Sequence, residues 1–342
     1  MAITRRSFLE MSALAGTTAA LSACGGSSSD RSGSDSGTLS YSKSGKKAKV
    51  LKGGGSKTMY VITPSVSNPA FKAEADGASD EAKKLGYDVR ANSHDDDANK
   101  QSELFDSAIA DRAAAIICDN ADADATVEAV KKAAKAGIPT FLIDREIATT
   151  GDAIAQIVAD NNQGASDVAQ TFVDAMGEKG NYVELMGKES DTNASVRTKG
   201  FHSVIDQYKD MKMLEQQTAN WEQTEAYDKM ETLIQTYGDK IQGVVSGNDT
   251  MLQGACAALT AHNMAAPVIG VDGSDEACDL IKQGKATATA LQQFDVIART
   301  AVREADRYLS TGYIPESERQ LIPCIVITKD NVGKVSNFSY SE

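Results

Sequence analysis

From residue 59 onward the chain alternates short apolar runs with polar loops and longer stretches in which apolar residues return every three or four positions. Short apolar runs bounded by turn residues read as strands, and the three-to-four period reads as amphipathic helix. The pattern predicts strands over 59–63, 87–91, 115–118 and 139–143, with helices over 69–85, 100–110 and 125–136 between and after them. Gly86 and Gly137 follow two of these helices as stop signals. The second half repeats the scheme, with strands over 182–186, 213–217, 243–246 and 268–271 and helices over 195–208, 224–237 and 251–263. Even the loops correspond: Asn120 precedes Asp144 by 24 residues, and Asp249 precedes Asp272 by 23. Repeated βα units predict parallel sheets with helices on both faces. The expected fold is α/β, two similar doubly wound lobes, and 342 residues suffice for two domains at roughly 150 residues each.

The segment before this pattern reads as an address and a tether. Thr4-Arg5-Arg6-Ser7-Phe8-Leu9 places paired arginines ahead of a moderately apolar stretch that ends in Leu21-Ser22-Ala23-Cys24. This resembles a twin-arginine export signal joined to a lipobox, and the Gly/Ser run after Cys24 could not continue a packed helix. Residues 1–24 are then the signal, with Cys24 the lipidated residue at its end. Two or more acyl chains anchor a protein stably where one does not. Residues 25–57, rich in Ser, Gly and Lys, form a tether whose lysines either stay solvated or meet anionic headgroups. No apolar run reaches the roughly 18 residues of a membrane-spanning helix.

Charge sharpens the picture. The whole chain carries −13, but residues 1–57 are net positive and the body from Thr58 stands at −19. An acidic body without a basic stripe excludes a nucleic-acid partner, because such binding depends on Lys and Arg displacing counterions from phosphates. Catalytic motifs are missing as well: the chain has no GxSxG, HExxH, Walker loop or GxGxxG, and His94, His202 and His262 are scattered. No metal or cofactor is expected. Asp95-Asp96-Asp97 lacks the Gly and terminal Glu of a calcium loop and reads as a solvated turn. Cys118, Cys256, Cys278 and Cys324 form no CxxC pair; Cys256 and Cys278 either pair as a disulfide or stay as small buried thiols.

In doubly wound sheets the loops at the carboxyl ends of the strands carry the ligand site. Those loops offer Asn68, Phe71, His94–Asp97, Asn120 and Asp144-Arg145-Glu146 in the first half, and Glu189–Arg197, Trp221, Asn248-Asp249 and Asp272-Gly273-Ser274 in the second. Carboxylates accept from hydroxyls, Arg and Asn donate to them, and an aromatic ring covers a C–H face, so this set suits a polyhydroxylated ligand. Trp221, the one tryptophan, either covers such a ligand or caps its own lobe.

Residues 59–328 resemble the type I periplasmic sugar-binding proteins of ABC importers, the ribose binders in particular. The resemblance rests on Ser67-Asn68-Pro69-Ala70-Phe71, Leu85-Gly86-Tyr87, Ile143-Asp144-Arg145, Asp160-Asn161, Arg197-Thr198-Lys199-Gly200-Phe201, Gly247-Asn248-Asp249, Gly270-Val271-Asp272-Gly273 and Ala288-Thr289-Ala290-Leu291-Gln292, in that order. It implies ligand contacts at Asn68, Phe71, Asp144, Arg145, Trp221, Asn248, Asp272 and Gln292, with Arg197 or Asn193 supplying the remaining second-lobe contact. Ala70 and Pro64 depart from the ribose pattern, so the resemblance implies a sugar or polyol without fixing ribose. It also implies a hinge of three crossings, near 159–161, 292–294 and 322–323. Residues 58–159 with 293–321 would form one lobe, and 160–292 with 322–342 the other. On this reading the protein is a monomeric, lipid-anchored receptor at the outer face of the cytoplasmic membrane that delivers its ligand to a permease. The alternative is a sensory binding protein serving a chemoreceptor or kinase. A lac-repressor-type regulator would need an N-terminal helix-turn-helix where this chain has an export signal. A glycosidase would need Asp144 and Asp272 placed across a glycosidic bond.

Overall fold

The computed structural model describes residues 54–341. The export signal, Cys24 and most of the tether lie outside the described residues. The first half runs β1 (Thr58–Thr63), α1 (Pro69–Lys84), β2 (Asp88–Ser93), α2 (Ala98–Ala110), β3 (Ala115–Cys118), α3 (Ala125–Lys135), β4 (Thr140–Ile143) and β5 (Ala155–Ala159). There follow α4 (Asn161–Met176), β6 (Lys179–Met186), α5 (Thr192–Ile205), β7 (Asp210–Thr218), α6 (Gln223–Tyr237), β8 (Gly243–Ser246), α7 (Asp249–Ala261), β9 (Val268–Asp272), α8 (Asp275–Lys282) and β10 (Ala288–Leu291). The chain ends with α9 (Phe294–Thr311), β11 (Arg319–Ile322), β12 (Ile325–Ile327) and a hairpin of β13 (Val335–Ser336) and β14 (Ser339–Tyr340).

Two six-stranded sheets result, ordered β2-β1-β3-β4-β5-β11 and β7-β6-β8-β9-β10-β12. The first is parallel throughout; in the second, β12 runs antiparallel to β10. That reversal departs from the all-parallel expectation. The chain leaves β11 in one sheet and enters β12 in the other after only two residues, too few for a crossover helix. The backbone passes between the sheets three times: from β5 to α4, from β10 to α9, and from β11 to β12. Ile322 pairs with Ala159 in the first sheet, so that sheet extends one residue beyond 321.

Burial on both faces explains why the central strands read as unbroken apolar runs. In β1, Met59 and Val61 join the core under α1 and α9, whereas Tyr60 and Ile62 point to the opposite core under α2 and α3. The edge strand β2 is largely exposed, which accounts for its weak apolar signal. Helix starts are set by side-chain caps. Asn68 accepts from Ala70 N at 3.0 Å with Pro69 at the first helical position, and Asp191 accepts from Asn193 N at 2.8 Å. Asp191 starts α5 three residues before the predicted boundary.

All four described cysteines are free and buried, so Cys256 and Cys278 form no disulfide. Burial pushes both thiols up to about 12, leaving them inert near neutrality. Among the described residues no helix is long and apolar enough to cross a membrane.

One polar cluster gives the fold a pH dependence. On β6 the buried Glu184 accepts from Thr198 Oγ1 at 2.7 Å and lies 2.9 Å from His202 Nε2, while Asp206 lies 2.9 Å from Nδ1. The hydrogen bond to Glu184, joined by Asp206, holds the His202 pKa up to about 9 against the opposing effect of burial. A histidine pKa raised in the folded state stabilises fully below its ordinary value and loses that contribution as pH rises through the folded value. The melting temperature should therefore fall between about pH 6.5 and pH 9, and His202→Gln should flatten that segment of the profile. An unchanged slope in the variant would assign the effect elsewhere.

Candidate ligand-binding site

The order β2-β1-β3 places a topological switch point beside β1, and β7-β6-β8 places another beside β6. Crevices open at the carboxyl ends of strands at such points. Here the two crevices face each other across a narrow cavity with free space of only about 20 Å³. Nine of the ten predicted site residues line it: Asn68, Phe71, Asp144, Arg145, Asn193, Arg197, Trp221, Asn248 and Asp272. Gln292 does not. It is wholly buried and its Nε2 donates to Asp272 Oδ1 at 2.8 Å, so it orients a lining carboxylate from behind. Ala70 lines the cavity and Pro64 does not.

Each lobe brings a carboxylate, an arginine and an aromatic ring. In the first, Asp144 and Arg145 follow β4, and the Arg145 guanidinium lies 5.0 Å from the Phe71 ring centroid. In the second, Asp272 ends β9 with Arg197 Nη1 3.6 Å away, and Arg197 lies 5.2 Å from the Trp221 centroid. Asp144, Trp221 and Asp272 all adopt positive φ, at 56°, 70° and 133°. Such backbone is costly for non-glycine residues and persists where the surroundings over-determine it. Those surroundings are visible. Asp249 Oδ2 accepts from Gly273 N and Ser274 N at 2.8 Å each, fixing the turn after β9. Asn120 Nδ2 donates to Arg145 O at 2.7 Å, fixing the turn after β4. The loop correspondence seen in the sequence is thus a pair of braces behind the cavity.

The lobes also touch directly. Arg145 Nε lies 2.9 Å from Asp191 Oδ2, and Asn193 Nδ2 donates to Asp144 O at 3.3 Å. Asn161, at the first crossing, donates to Asn193 Oδ1 at 3.0 Å and accepts from Arg197 Nε at 2.7 Å. Asp96 accepts from Arg145 Nη1 at 2.7 Å, which corrects the expectation of a merely solvated turn at 95–97. His94 is buried, with Nε2 2.8 Å from Asp119 O, and burial lowers its pKa to about 4, so it stands neutral.

Sequence reasoning missed Phe294 as a lining residue and offered Asp191 only within the Glu189–Arg197 loop, without singling it out. Asp191 carries a legible signal, an Asp ahead of an apolar-periodic stretch, but that signal marks a helix cap before it marks a pocket. Burial pushes Asp144 up to about 7, reinforced by Asp191 and Asp272 and opposed by the two arginines. Burial likewise pushes Asp272 up to about 6 against Arg197 and Gln292. No nucleophile and base stand together; the lining offers hydrogen-bond donors, acceptors and ring faces.

A family model described as a periplasmic binding protein domain matches residues 59–313. The chain belongs to the periplasmic binding protein family. This periplasmic binding protein is 55% identical over 280 residues to the D-apiose import binding protein of Paraburkholderia graminis, across 82% of this chain and 89% of that one. It is 32% identical over 255 residues to the ribose import binding protein of Escherichia coli, across 74% and 84% of the two chains. Among solved structures, the Caulobacter myo-inositol binding protein bound to myo-inositol superposes with a TM-score of 0.78 at 26% identity, covering 83% of this chain and 97% of that one. These relatives carry the fold and the class that the sequence motifs implied: a two-lobed sugar-binding protein of ABC importers, which binds rather than turns over its ligand.

Proposed function

We propose that this chain is an extracytoplasmic lipoprotein, anchored through Cys24, that captures a small furanose sugar between its lobes and delivers it to an ABC import permease. D-apiose is the first candidate ligand. The observation that carries the reading is the convergence of nine predicted residues from both lobes on one narrow cavity, each lobe giving an Asp, an Arg and an aromatic ring. Apiose is a branched aldopentose, compact and rich in hydroxyls. The carboxylates of Asp144 and Asp272 would accept from those hydroxyls, Arg145, Arg197, Asn68, Asn193 and Asn248 would donate, and Phe71 and Trp221 would flank the ring. The 55% identity to a D-apiose import binding protein supports the choice of sugar.

Closure is the mechanism. Residues 58–159 with 293–321 act as one lobe and 160–292 with 322–342 as the other, hinged at the three crossings. A ligand touching Asp144 and Asp272 together makes its full contacts only when the lobes meet, so it shifts the open–closed equilibrium by that difference. The permease reads the closed form, and the receptor acts as a monomer tethered by residues 25–57.

Thermal unfolding with D-apiose, D-ribose, xylitol, myo-inositol and amino acids tests the reading. A ligand of the folded state adds about 2.7 kcal/mol at a hundredfold excess over its Kd, a shift of several degrees. D-apiose should give the largest shift, and Asp144→Ala should remove it. A response confined to amino acids, or none to any sugar, would sink the proposal.

A further inference from the structure

Behind the cavity lies a second group of acids that the ligand chemistry leaves unused. Glu74 sits one helical turn after Phe71 on α1, on the same helix face, and is fully buried. Asp119, at the end of β3, is fully buried too. One oxygen from each of Glu74, Asp119 and Asp144 lies within 4.8 Å of the other two. Among the described residues neither oxygen of Glu74 receives a hydrogen bond, and neither oxygen of Asp119 does; the nearest cation is Arg145, whose Nε stands 3.5 Å from Asp119 Oδ1. Arg145 is meanwhile shared with Asp96 and Asp191. One guanidinium thus faces more buried carboxylates than it can neutralise.

Like charges this close in a dry interior cannot all be ionised. A proton relieves the cluster at least cost, since it turns one acid into a donor for its neighbour and supplies the missing hydrogen bond. A divalent cation would have to sit beside the guanidinium, whose Nε already stands 3.5 Å from Asp119 Oδ1, and would meet its repulsion. We propose that Glu74 and Asp119 share one proton as a hydrogen-bonded acid–carboxylate pair, and that this pair positions Arg145 in the ligand cavity from behind. Glu74 Oε donates, Asp119 Oδ accepts, and Asp119 keeps the charge that faces Arg145. Burial raises Glu74 well above the usual carboxylate range, with the charges of Asp119 and Asp144 acting in the same direction, which agrees with the geometry. The charged and titratable groups around Glu74 are Asp119 and Cys118 from β3 and Asp144 and Arg145 from the end of β4. From α9, Asp295 and Arg299 reach α1 further along, at Gly77 and Glu81. Glu74 and Asp119 are positioning residues, and their role in ligand capture rests on the reading of the cavity as a sugar site.

Infrared difference spectroscopy of the ligand-free protein near neutral pH tests the pair without any sugar. The spectrum should contain a protonated-carboxyl C=O band that Glu74→Gln removes. Asp119→Asn should remove it as well, because the new amide donates to Glu74 and lets it ionise. Sugar affinity supplies the second readout. Glu74→Gln, whose amide still donates to Asp119, should bind within about threefold of the parent, whereas Glu74→Ala should lose about tenfold or more. In the parent the affinity should fall at alkaline pH as the shared proton is lost, and Glu74→Gln should abolish that fall; the acid limb belongs to Asp144 and Asp272. Absence of the band in the parent, or its survival in both Glu74→Gln and Asp119→Asn, would overturn the pair. So would a calcium- or magnesium-dependent rise in melting temperature lost in Glu74→Gln, which would put a metal where the proton is proposed. If the band behaves as stated and no sugar binds, the pair stands and the sugar reading fails.

Discussion

Arg145→Ala is expected to cost about 3–5 kcal/mol of stability and to abolish sugar binding, the stability loss being that of stranding buried charges without their partner. The guanidinium is the shared counterion of Asp96, Asp119 and Asp191, at 2.7, 3.5 and 2.9 Å. It also donates to Asn120 O at 3.1 Å and lies against Phe71. Without it Asp119, which burial already holds well above the usual carboxylate range against the opposing charge of Arg145, can only take up a proton, so its folded-state pKa moves further above the unfolded one. An acid raised in this way favours the fold below its unfolded value and disfavours it increasingly as pH climbs through the folded value. The stability deficit of the variant should therefore be smaller near pH 5 than near pH 8 in urea denaturation. Arg145→Lys should recover part of the stability and little of the binding, because one ammonium cannot reproduce a planar fork held on several sides. Equal deficits at the two pH values would show that lost packing, rather than charge, governs this position.

The same arginine shows where sequence reasoning succeeds and where it stops. Asp144-Arg145 was legible because a short apolar run, wholly buried as β4, delivers the pair to the cavity end of the first sheet. The residues that hold Arg145 come from the loops after β2, β3 and β6, and no spacing within one segment announces their meeting. Glu74 was illegible for a related reason. A Glu within an amphipathic helix reads as an exposed position, and only the packing of α1 against the sheet and α9 buries it. Strand β5 carries Gln156 as the second of its five residues, and that polar residue masks a buried strand. In the fold the Gln156 side chain is used to brace loops: Oε1 accepts from Ile147 N at 3.0 Å, and Nε2 donates to Thr149 O at 3.0 Å and to Glu318 Oε1 at 2.9 Å. Gln292 is the converse case. Its motif placed it near the ligand, and the fold spends its amide on Asp272.

Gly187→Ala should reduce sugar affinity about a hundredfold through overpacking worth roughly 1–3 kcal/mol, although no charge or hydrogen bond is removed. A methyl at Gly187, just past β6, would stand 2.0 Å from both Cη2 and Cζ2 of Trp221, closer than any real contact. The indole has nowhere to retreat. Its Nε1 donates to Asp191 Oδ2 at 3.1 Å, the Arg197 guanidinium lies 5.2 Å from its centroid, and its backbone is held at positive φ. A Cβ at Gly247 would also approach the ring to 3.1 Å, so that side offers no room. What yields is the space that the ring lines, the cavity itself. Trp221 is the one tryptophan of the chain, so its fluorescence reports both the displacement in the free variant and ligand binding in the parent. The decisive comparison is a double-mutant cycle. Trp221→Ala removes one wall of the cavity and should weaken binding on its own, but Gly187→Ala added to it should cost almost nothing further, since the methyl then meets no ring. Additive losses would mean that Gly187 serves the site by another route, through the backbone of its own loop.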